Sequence, residues 1–477
     1  MELQQILHER FGYTAFREGQ QDIIEAVLAG RDTVALLPTG MGKSLCYQLP
    51  GYVVEGTIVV ISPLLSLMQD QVEQLKQFGE KRVAALNSFL SPDDKQFVWQ
   101  HFEDYRFLFL SPEMLASQAV KGRLQQMKLG LIVVDEAHCI SQWGYDFRPD
   151  YLQIADALPA ARPPILALSA TATARIISDI EHYLAMKQPA TFIHSVDRPN
   201  LHYEALEIEP FEKAAAIIKQ VTTFEGPGII YTQSRKKTME YASMLQQAGV
   251  RATFYHGGME QQDRMLVQRQ FMHGELDWIC ATNAFGMGIH KNNIRQIIHD
   301  HLPQTVSSYM QEVGRAGRDG LPALVTLYYD ARDAARTVEV ATLDLPTDVH
   351  ISRYMAYADA GKTRAQLVAN GEMTDTAFRV LDYWMRQLAP SEVSQKIQEL
   401  AADKQQQVSA VAKIVTSTCI RAQLLAYFDE QLLEKPQNCC SACGIERHAI
   451  LAPYTDKNNS KDLLNWQQRL NQLLPFN

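Results

Sequence analysis

The chain has 477 residues, of which 46% are hydrophobic and 21% charged, and its formal net charge is −9. This composition is typical of soluble globular proteins and excludes wholesale disorder, and the length predicts about three domains. Because the sequence shows neither a bilayer-length apolar run nor a signal-peptide pattern, we expect a cytoplasmic protein without membrane contact. The negative charge, taken alone, argues against nucleic-acid binding.

Two series of short, apolar, β-branched runs alternate with helical stretches along the first part of the chain. Strands separated by helices predict parallel sheets with crossover connections, and hence doubly wound α/β domains. We therefore expect two such domains in tandem, at 1–200 and 201–345, with a hinge near 196–210. The predicted strands are TVALL, TIVVI, RFLFL, LIVVD and ILALS in the first series and GIIYT, RATFY, WICAT, QIIHD and ALVTLYY in the second.

Beyond the second series, strand patterns stop and polar, helical sequence continues. We divide this part into a helical segment at 346–404, a cysteine-bearing subdomain at 405–450 and a tail at 451–477. A turn at Asn370 and Gly371 separates two helices that belong either to an ordinary bundle or to a helix-turn-helix. The tail predicts an amphipathic helix whose apolar face carries Leu463, Trp466, Leu470 and Leu473.

The loop PTGMGKS, at 38–44, lies between the strand TVALL and a helical stretch. Backbone N–H groups of such a turn bind phosphates, and the dipole of the following helix also favours anions. Lys43 would reach the β and γ phosphates, and the Ser44 hydroxyl would bind Mg²⁺. The full phosphate-loop pattern fails at its first glycine, where Leu37 stands. The predicted nucleotide-binding residues are Thr39, Gly40, Met41, Gly42, Lys43 and Ser44.

A second part of this site is predicted where LIVVDEAH leaves a buried strand. Ligands of open α/β sheets bind at the C-terminal ends of strands, and a carboxylate here lies close to the phosphates. We assign Asp135 to Mg²⁺ and Glu136 to orienting and deprotonating the attacking water.

Four of the seven cysteines lie close together near the C-terminus. In a reducing compartment, clustered thiols indicate a metal site rather than disulfides. Structural Zn²⁺ is the metal that four thiolates favour, and free thiols are the alternative. The predicted ligands are Cys419, Cys439, Cys440 and Cys443.

These motifs and their order resemble the superfamily 2 helicases of the RecQ family. The resemblance covers roughly residues 1–340 and resumes at the cysteines. It implies two RecA-like P-loop domains followed by a helical zinc-binding domain, with ATP, Mg²⁺ and Zn²⁺ as cofactors. Beside PTGMGKS and DEAH, it rests on FGYTAFREGQ at 11–20, SPLLSLMQDQ at 62–71, HCISQWGYDFRPDY at 138–151, LSATAT at 168–173, AFGMGIHK at 284–291 and QEVGRAGRDG at 311–320.

The resemblance also implies roles around the nucleotide. Tyr13, Arg17 and Gln20 match an adenine-reading motif, in which an aromatic ring stacks on the base and an amide contacts its edge. In the second domain, Arg318 matches an arginine finger that neutralises charge on the transferred phosphoryl group. The catalytic set on that domain is completed by two γ-phosphate sensors, Gln311 and Arg315.

Nucleic-acid contacts are implied along one face of both domains. Trp143, Phe147 and Arg148, in an aromatic-rich loop, suit stacking on unpaired bases. Hydroxyl and backbone N–H groups at strand ends contact phosphates without requiring a basic surface, which removes the objection from the net charge. The predicted backbone contacts are Ser62, Ser66, Ser111, Thr232, Ser234, Arg235, His256 and Thr282.

Three residues depart from the family pattern. His290 and His301 stand where acidic residues are usual, and Ile420 replaces an arginine after the first cysteine. The change at His290 affects the expected coupling between DNA contact and hydrolysis rather than the ATPase itself. Too few residues follow Cys443 for the winged-helix and HRDC domains of longer relatives, so we expect a short form.

We expect an ATP-dependent DNA helicase that moves 3′ to 5′ and acts in repair or recombination. Its substrates would be single-stranded DNA and forked or tailed duplexes, and single-strand-binding or recombination proteins are candidate partners. In a bacterium it would be associated with the nucleoid. Two alternatives are a helicase-like ATPase acting on RNA and a DNA-dependent ATPase switch that does not separate strands.

Overall fold

The computed structural model describes residues 3–63, 65–87, 90–115, 117–142, 149–285, 291–361, 363 and 366–454. Two α/β domains, each built on its own parallel sheet, are followed by helices and the cysteine-bearing module. The predicted fold class is confirmed. Among the described residues, no helix combines the length and the apolar character that crossing a bilayer requires.

The first sheet has seven parallel strands in the order β3-β4-β2-β5-β6-β1-β7. All five predicted strands are present, and their apolar side chains are buried on both faces beneath helices, as a parallel sheet requires. The two strands that we did not predict, β3 and β7, lie at the edges. The strands are β1 Thr33–Leu36, β2 Thr57–Ile61, β3 Val83–Leu86, β4 Phe107–Leu110, β5 Leu129–Val134, β6 Ile165–Ser169 and β7 Ala190–Ile193.

The second sheet has six parallel strands in the order β10-β11-β9-β12-β13-β8. Strand β8 occupies the middle of the hinge that we expected at 196–210, so this expectation is corrected: the connection between the sheets is the short segment 194–200. The strands are β8 Leu201–Glu207, β9 Gly228–Tyr231, β10 Ala252–Tyr255, β11 Trp278–Ala281, β12 Gln296–His299 and β13 Ala323–Tyr329.

Helices cover both sheets, and several begin at the side-chain caps that their sequences provide. Ser91 accepts a hydrogen bond from the Asp94 N–H at 3.1 Å, and Pro92 fits the first helical position. The helices of the first domain are α1 Leu3–Phe11, α2 Gln20–Leu28, α3 Leu45–Gln48, α4 Leu65–Gln77, α5 Pro92–Gln100, α6 Pro112–Leu115, α7 Gln118–Leu124, α8 Cys139–Gln142, α9 Ile154–Ala157 and α10 Ala174–Tyr183. Those of the second are α11 Pro210–Thr223, α12 Arg235–Gln247, α13 Gln261–Met272, α14 Val306–Val313 and α15 Asp333–Thr342, and 3₁₀ turns span Pro50–Tyr52, Pro149–Gln153 and Ser441–Cys443.

The C-terminal part is helical, as expected. Its longest helix is continuous across the boundary that we drew between residues 404 and 405, and it packs against both α14 and α15. The helices are α16 Asp348–Asp359, α17 Gln366–Ala369, α18 Asp375–Met385, α19 Pro390–Val415, α20 Ile420–Tyr427 and α21 Arg447–Ile450.

The helices around Gly371 form a bundle. Helix α18 buries Val380, Leu381 and Trp384 in one apolar cluster with residues of α16 and α19. On its exposed side, Arg379 and Arg386 each pair with an aspartate one turn earlier, at 2.5 Å. Because these cations already have acidic partners and α17 has only four residues, the geometry favours the bundle over a helix-turn-helix.

Several predicted features lie outside the described residues. They are the loop residues Trp143, Phe147 and Arg148, the departure at His290, and the tail from 455 onward with its predicted amphipathic helix.

Candidate active site

The loop between β1 and α3 has the conformation of a phosphate cradle. Gly40 and Gly42 have φ angles of 94° and 76°, a region that glycine enters without steric cost. A Cβ on Gly42 would lie 2.7 Å from the amide nitrogen of Gln20, so this position has no room for a side chain. Ser44 immediately precedes α3, and the loop therefore meets the N-terminus of a helix as predicted.

Lys43 reaches across to the carboxylates at the end of β5. Its Nζ lies 3.1 Å from Glu136 Oε1, and both side chains are largely buried. Glu136 has a φ of 48°, a conformation that non-glycine residues adopt at a cost and that is frequent at active sites. The backbone N–H of Glu136 donates to Asp135 Oδ1 at 3.0 Å. The structure thus brings together the three residues that we assigned to phosphate, metal and water.

The two carboxyl groups differ in acidity because their neighbours differ. Burial, then the adjacent Glu136, raise the pKa of Asp135 to about 6. For Glu136, burial acts in the same direction, but Lys43 and His138 outweigh it and lower the pKa. A divalent cation is the natural partner for a buried carboxylate such as Asp135, and Ser44 lies at the start of the neighbouring helix. The donor set therefore suits Mg²⁺, as predicted.

His138 connects the first domain to the second. Its Nδ1 lies 3.0 Å from Ser169 Oγ, and its Nε2 accepts from the Gln311 amide at 2.9 Å. Burial lowers the pKa of His138, which favours the neutral imidazole that this pattern requires. Gln311, predicted as a γ-phosphate sensor, therefore contacts the DEAH motif directly.

A second contact joins the phosphate loop to the arginine-bearing loop that follows α14. Thr39 Oγ1 donates to the Gly314 carbonyl at 2.9 Å. A Cβ on Gly314 would lie 2.1 Å from that hydroxyl oxygen, so the approach depends on glycine. Both halves of the predicted ATP site therefore face each other.

Two arginines of the second domain lie at this junction, Arg315 buried and Arg318 partly buried. Arg318 lies over the phosphate loop, where a Cβ on Gly40 would be 3.4 Å from its Cγ. Burial, then the nearby Arg315 and Arg198, lower the pKa of Arg318 to about 9, so it is still cationic at neutral pH. Buried cations held close together favour an anion between them, which is the predicted role of Arg315 and Arg318 toward the γ-phosphate.

The predicted adenine-reading residues lie beside the phosphate loop. Gln20 uses its amide differently from our expectation: its Nε2 donates to the Met41 and Gly42 carbonyls at 2.8 and 3.1 Å. The Arg17 guanidinium donates to the Gly40 carbonyl in the same way. The loop carbonyls need donors, and these two side chains supply them. Tyr13 is 47% exposed, which leaves its ring accessible to a base.

Two of the three residues of the first domain that we predicted to contact DNA lie at the ends of β-strands. Ser62 and Ser111 directly follow β2 and β4, and both are buried. Ser111 Oγ accepts from the Met114 N–H at 3.3 Å and so begins a helix. The backbone of Ser66 is described within α4.

In the second domain, the predicted contacts gather at the ends of β9, β10 and β11. Ser234 caps α12 by accepting from the Lys237 N–H at 3.2 Å. The Arg235 guanidinium packs against Gly258, two residues after His256, and leaves no room there for a Cβ. Strand-end positions of parallel sheets lie at one edge, so Thr232 and Thr282 lie on the same side of the domain.

Two contacts around the site involve residues to which we gave no role. Ser169 belongs to the LSATAT motif, and its hydroxyl orients His138. Arg198 lies on the connection between the sheets, and its guanidinium donates to the Gly314 carbonyl at 3.0 Å. The LSATAT motif could have pointed to a role for Ser169 in the sequence. The role of Arg198 is recognised only from its hydrogen bond to a residue distant in sequence.

The four C-terminal cysteines converge. Their Sγ atoms all lie within 4.8 Å of one another, with 3.9 Å between Cys419 and Cys439 and 3.3 Å between Cys440 and Cys443. Tetrahedral Zn²⁺ with Zn–S bonds of about 2.3 Å needs sulfur separations of about 3.8 Å. The left-handed φ of 53° at Asn438 turns the chain just before the adjacent pair. The donor set fits a structural Zn²⁺.

Comparison with protein families assigns the same three parts. A DEAD/DEAH box helicase model matches residues 17–180, a helicase conserved C-terminal domain model matches 212–320, and a RecQ zinc-binding model matches 378–445. The chain is 42% identical to a probable ATP-dependent DNA helicase RecS of Bacillus subtilis, over 99% of this chain and 97% of that protein. The chain belongs to the RecQ family.

Other RecQ-family relatives are longer. The ATP-dependent DNA helicases RecQ of Pasteurella multocida and Bacillus subtilis are 42% and 39% identical to this chain over 69% of its length. The chain spans 52% and 56% of those two proteins. The aligned part of the chain therefore corresponds to about half of each longer RecQ protein.

Solved structures share the architecture of this RecQ-family chain at low identity. The helicase MrfA bound to DNA is 20% identical, with a TM-score of 0.58 over 71% of this chain and 52% of that one. Mycobacterium smegmatis helicase Lhr bound to ssDNA and AMP-PNP is 21% identical, with a TM-score of 0.56 over 73% and 52%. These similarities support the two-domain motor fold.

The junction between the loops predicts the effect of a single methyl group. Gly314→Ala would place a methyl carbon 2.1 Å from Thr39 Oγ1 and 2.9 Å from the Met310 carbonyl oxygen. We expect kcat for ATP hydrolysis to fall about 10- to 100-fold, because the two halves of the site can no longer meet in the same geometry.

The matched control for this prediction is Gly122→Ala. Gly122 lies in α7, and a Cβ there meets nothing within 4 Å. That variant should keep the wild-type kcat and gain about 0.5–1 kcal/mol in unfolding free energy. A Gly314→Ala protein that hydrolyses ATP at the wild-type rate would contradict the junction.

The cysteine geometry predicts about one zinc per chain in purified protein. Cys440→Ser should lose the metal and lower the melting temperature, because the module folds around the thiolates. Cys46→Ala is the control, since Cys46 is buried in the first domain and should leave the zinc content unchanged. Metal analysis by mass spectrometry decides the question, and full zinc content in Cys440→Ser would contradict the assignment.

Proposed function

We propose that this RecQ-family chain is an ATP-dependent DNA helicase that moves 3′ to 5′ along single-stranded DNA and separates duplexes. The observation that carries the proposal is the ATP site divided between two sheets and joined by two contacts, Thr39 to Gly314 and Gln311 to His138. A site that needs both domains couples nucleotide state to their relative position, which is the basis of translocation. The names of the relatives support DNA as the substrate.

The site residues suggest a sequence of events. When ATP binds, its phosphates compete with Glu136 for Lys43, which now lies 3.1 Å from that carboxylate. Release from the lysine frees Glu136 to orient a water molecule and take its proton. Mg²⁺, held by Asp135 and Ser44, would neutralise phosphate charge during this step. Arg315 and Arg318 stabilise the charge on the transferred phosphoryl group from the other domain.

DNA would run across the strand ends of both domains. Ser234 and Arg235 on the second domain are exposed and offer hydroxyl, backbone N–H and guanidinium donors suited to phosphates, and the buried Ser62 and Ser111 lie at strand ends of the first sheet. Since the net charge is −9, affinity should fall with salt less steeply than for a basic clamp. The aromatic-rich loop, which follows the DEAH motif in the sequence, would report the presence of bases to the ATPase. Single-strand-binding and recombination proteins are candidate partners, because they occupy the same DNA.

One assay tests the substrate and the direction together. We expect the protein to unwind a DNA duplex with a 3′ single-stranded tail, and not the same duplex with a 5′ tail. A matched RNA duplex should be a poor substrate. Lys43→Ala should abolish unwinding and ATP hydrolysis while leaving DNA binding intact, because Lys43 lies in the phosphate loop and is not among the predicted DNA contacts.

The other outcomes of this assay each contradict one part of the proposal. A preference for the 5′ tail would reverse the direction, and a preference for RNA would change the substrate. DNA-stimulated ATP hydrolysis without unwinding would indicate an ATPase switch. Substantial hydrolysis by Lys43→Ala would remove the assignment of the phosphate site.

A further inference from the structure

The connection between the two sheets is held from both sides by arginines that no motif assigns. On one side, Arg198 donates to the Gly314 carbonyl at 3.0 Å and to the Gly317 carbonyl. These two carbonyls belong to the residues that immediately precede Arg315 and Arg318. One guanidinium therefore fixes the peptide groups from which both phosphate-facing arginines extend.

On the other side, Arg421 binds the same connection. Arg421 belongs to the cysteine-bearing subdomain at 405–450, which we call the zinc module. Only 1% of its side chain is exposed. Its guanidinium pairs with the Asp197 carboxylate, donates to the Arg198 carbonyl at 3.1 Å and also donates to the Leu201 carbonyl. It lies 5.2 Å from the centre of the Tyr203 ring, which adds a cation–π contact. Arg421 follows the first zinc ligand by two residues, so its position depends on the folded zinc module.

Two acidic residues of the zinc module add hydrogen bonds to the connection and to the first domain. Glu430 accepts from the Val196 N–H at 2.9 Å, and Asp429 accepts from the Ala174 N–H at 3.1 Å. The module thus contacts the first domain and the connection as well as the second sheet. A planar guanidinium has several donors in a fixed geometry, so Arg198 and Arg421 can each bind two backbone carbonyls at once. The ammonium group of a lysine lacks this fixed geometry.

We infer that Arg421 and Arg198 are positioning residues for ATP hydrolysis, through which the zinc module sets the orientation of Arg315 and Arg318. Arg198 acts through the loop that carries Arg315 and Arg318, and Arg421 acts on that loop through the connection. The inference rests on the proposed function, because it needs an ATPase whose fingers come from the second domain. It gives the zinc module a part in the rate of hydrolysis beyond holding its own fold.

The test compares kcat and KM for ATP in full-length variants with saturating single-stranded DNA. Arg198→Met and Arg421→Met should each lower kcat about 10- to 100-fold, because a small displacement of a catalytic group has effects of this size. KM for ATP should stay within about threefold of wild type, since Lys43 and the phosphate loop are untouched. Zinc content should be unchanged. The double variant should be little worse than either single one, because both act on the same loop.

The matched control removes another contact of the zinc module with the second domain. Arg447 pairs with Glu204 on β8 and donates to the Tyr328 hydroxyl on β13. The double variant Glu204→Gln and Arg447→Gln keeps polar groups at both positions and should retain the wild-type kcat, even where its melting temperature falls. If Arg421→Met is not recovered folded, Asp197→Asn is the substitute. It weakens the ion pair between Asp197 and Arg421 and should lower kcat with KM unchanged.

Two results would overturn the inference. One is a wild-type kcat in Arg198→Met, or in Arg421→Met or its substitute Asp197→Asn. The other is an equal loss of kcat in the Glu204 and Arg447 control, which would show that general docking of the module is sufficient. Failure of the proposed function is distinguishable, because the wild-type protein itself would then lack DNA-stimulated hydrolysis.

Discussion

The hydrogen bond from Thr39 to the Gly314 carbonyl joins two sheets that share no strand. Each sheet alone carries half of a chemical site: one has the phosphate loop and the carboxylates, and the other has the arginines. Desolvated cations gain most when an anion comes between them, so the arrangement around Arg318 favours a phosphate at this junction. Closure of the two domains and completion of the site are therefore the same event, as a motor driven by ATP requires.

The remainder of the fold serves this junction. Parallel strands direct their C-terminal ends toward one edge, which places the phosphate loop, the DEAH motif and the strand-contacting hydroxyls on the same side. The zinc module adds a third body that contacts β8 and the connection between the sheets. The net charge, which at first argues against nucleic acid, is compatible with binding in a local groove by hydroxyls, backbone N–H groups and stacking.

Much of this could be predicted from the sequence, because the reacting groups lie in short motifs next to apolar strands. Such local patterns predict Lys43, Asp135 and Glu136 as one site and the four cysteines as another. The structure brings the members of each group together. Strand β8 could not be predicted, since its Glu204 interrupts the apolar pattern. That carboxylate is buried because Arg447, far along the chain, pairs with it and the Thr326 hydroxyl donates to it. The roles of Arg198 and Arg421 could not be predicted for a similar reason. Both donate to backbone carbonyls distant in sequence, and every residue type carries a carbonyl, so no residue pattern identifies such a partner.

Arg318→Ala removes the arginine that we expect the second domain to supply to ATP hydrolysis. Steady-state ATP hydrolysis should be measured with saturating single-stranded DNA, together with ATP binding by fluorescence titration. We expect kcat of the Arg318→Ala protein to fall by about 10³-fold or more, while ATP still binds through the phosphate loop. A kcat within about tenfold of the wild type, with unwinding retained, would contradict it.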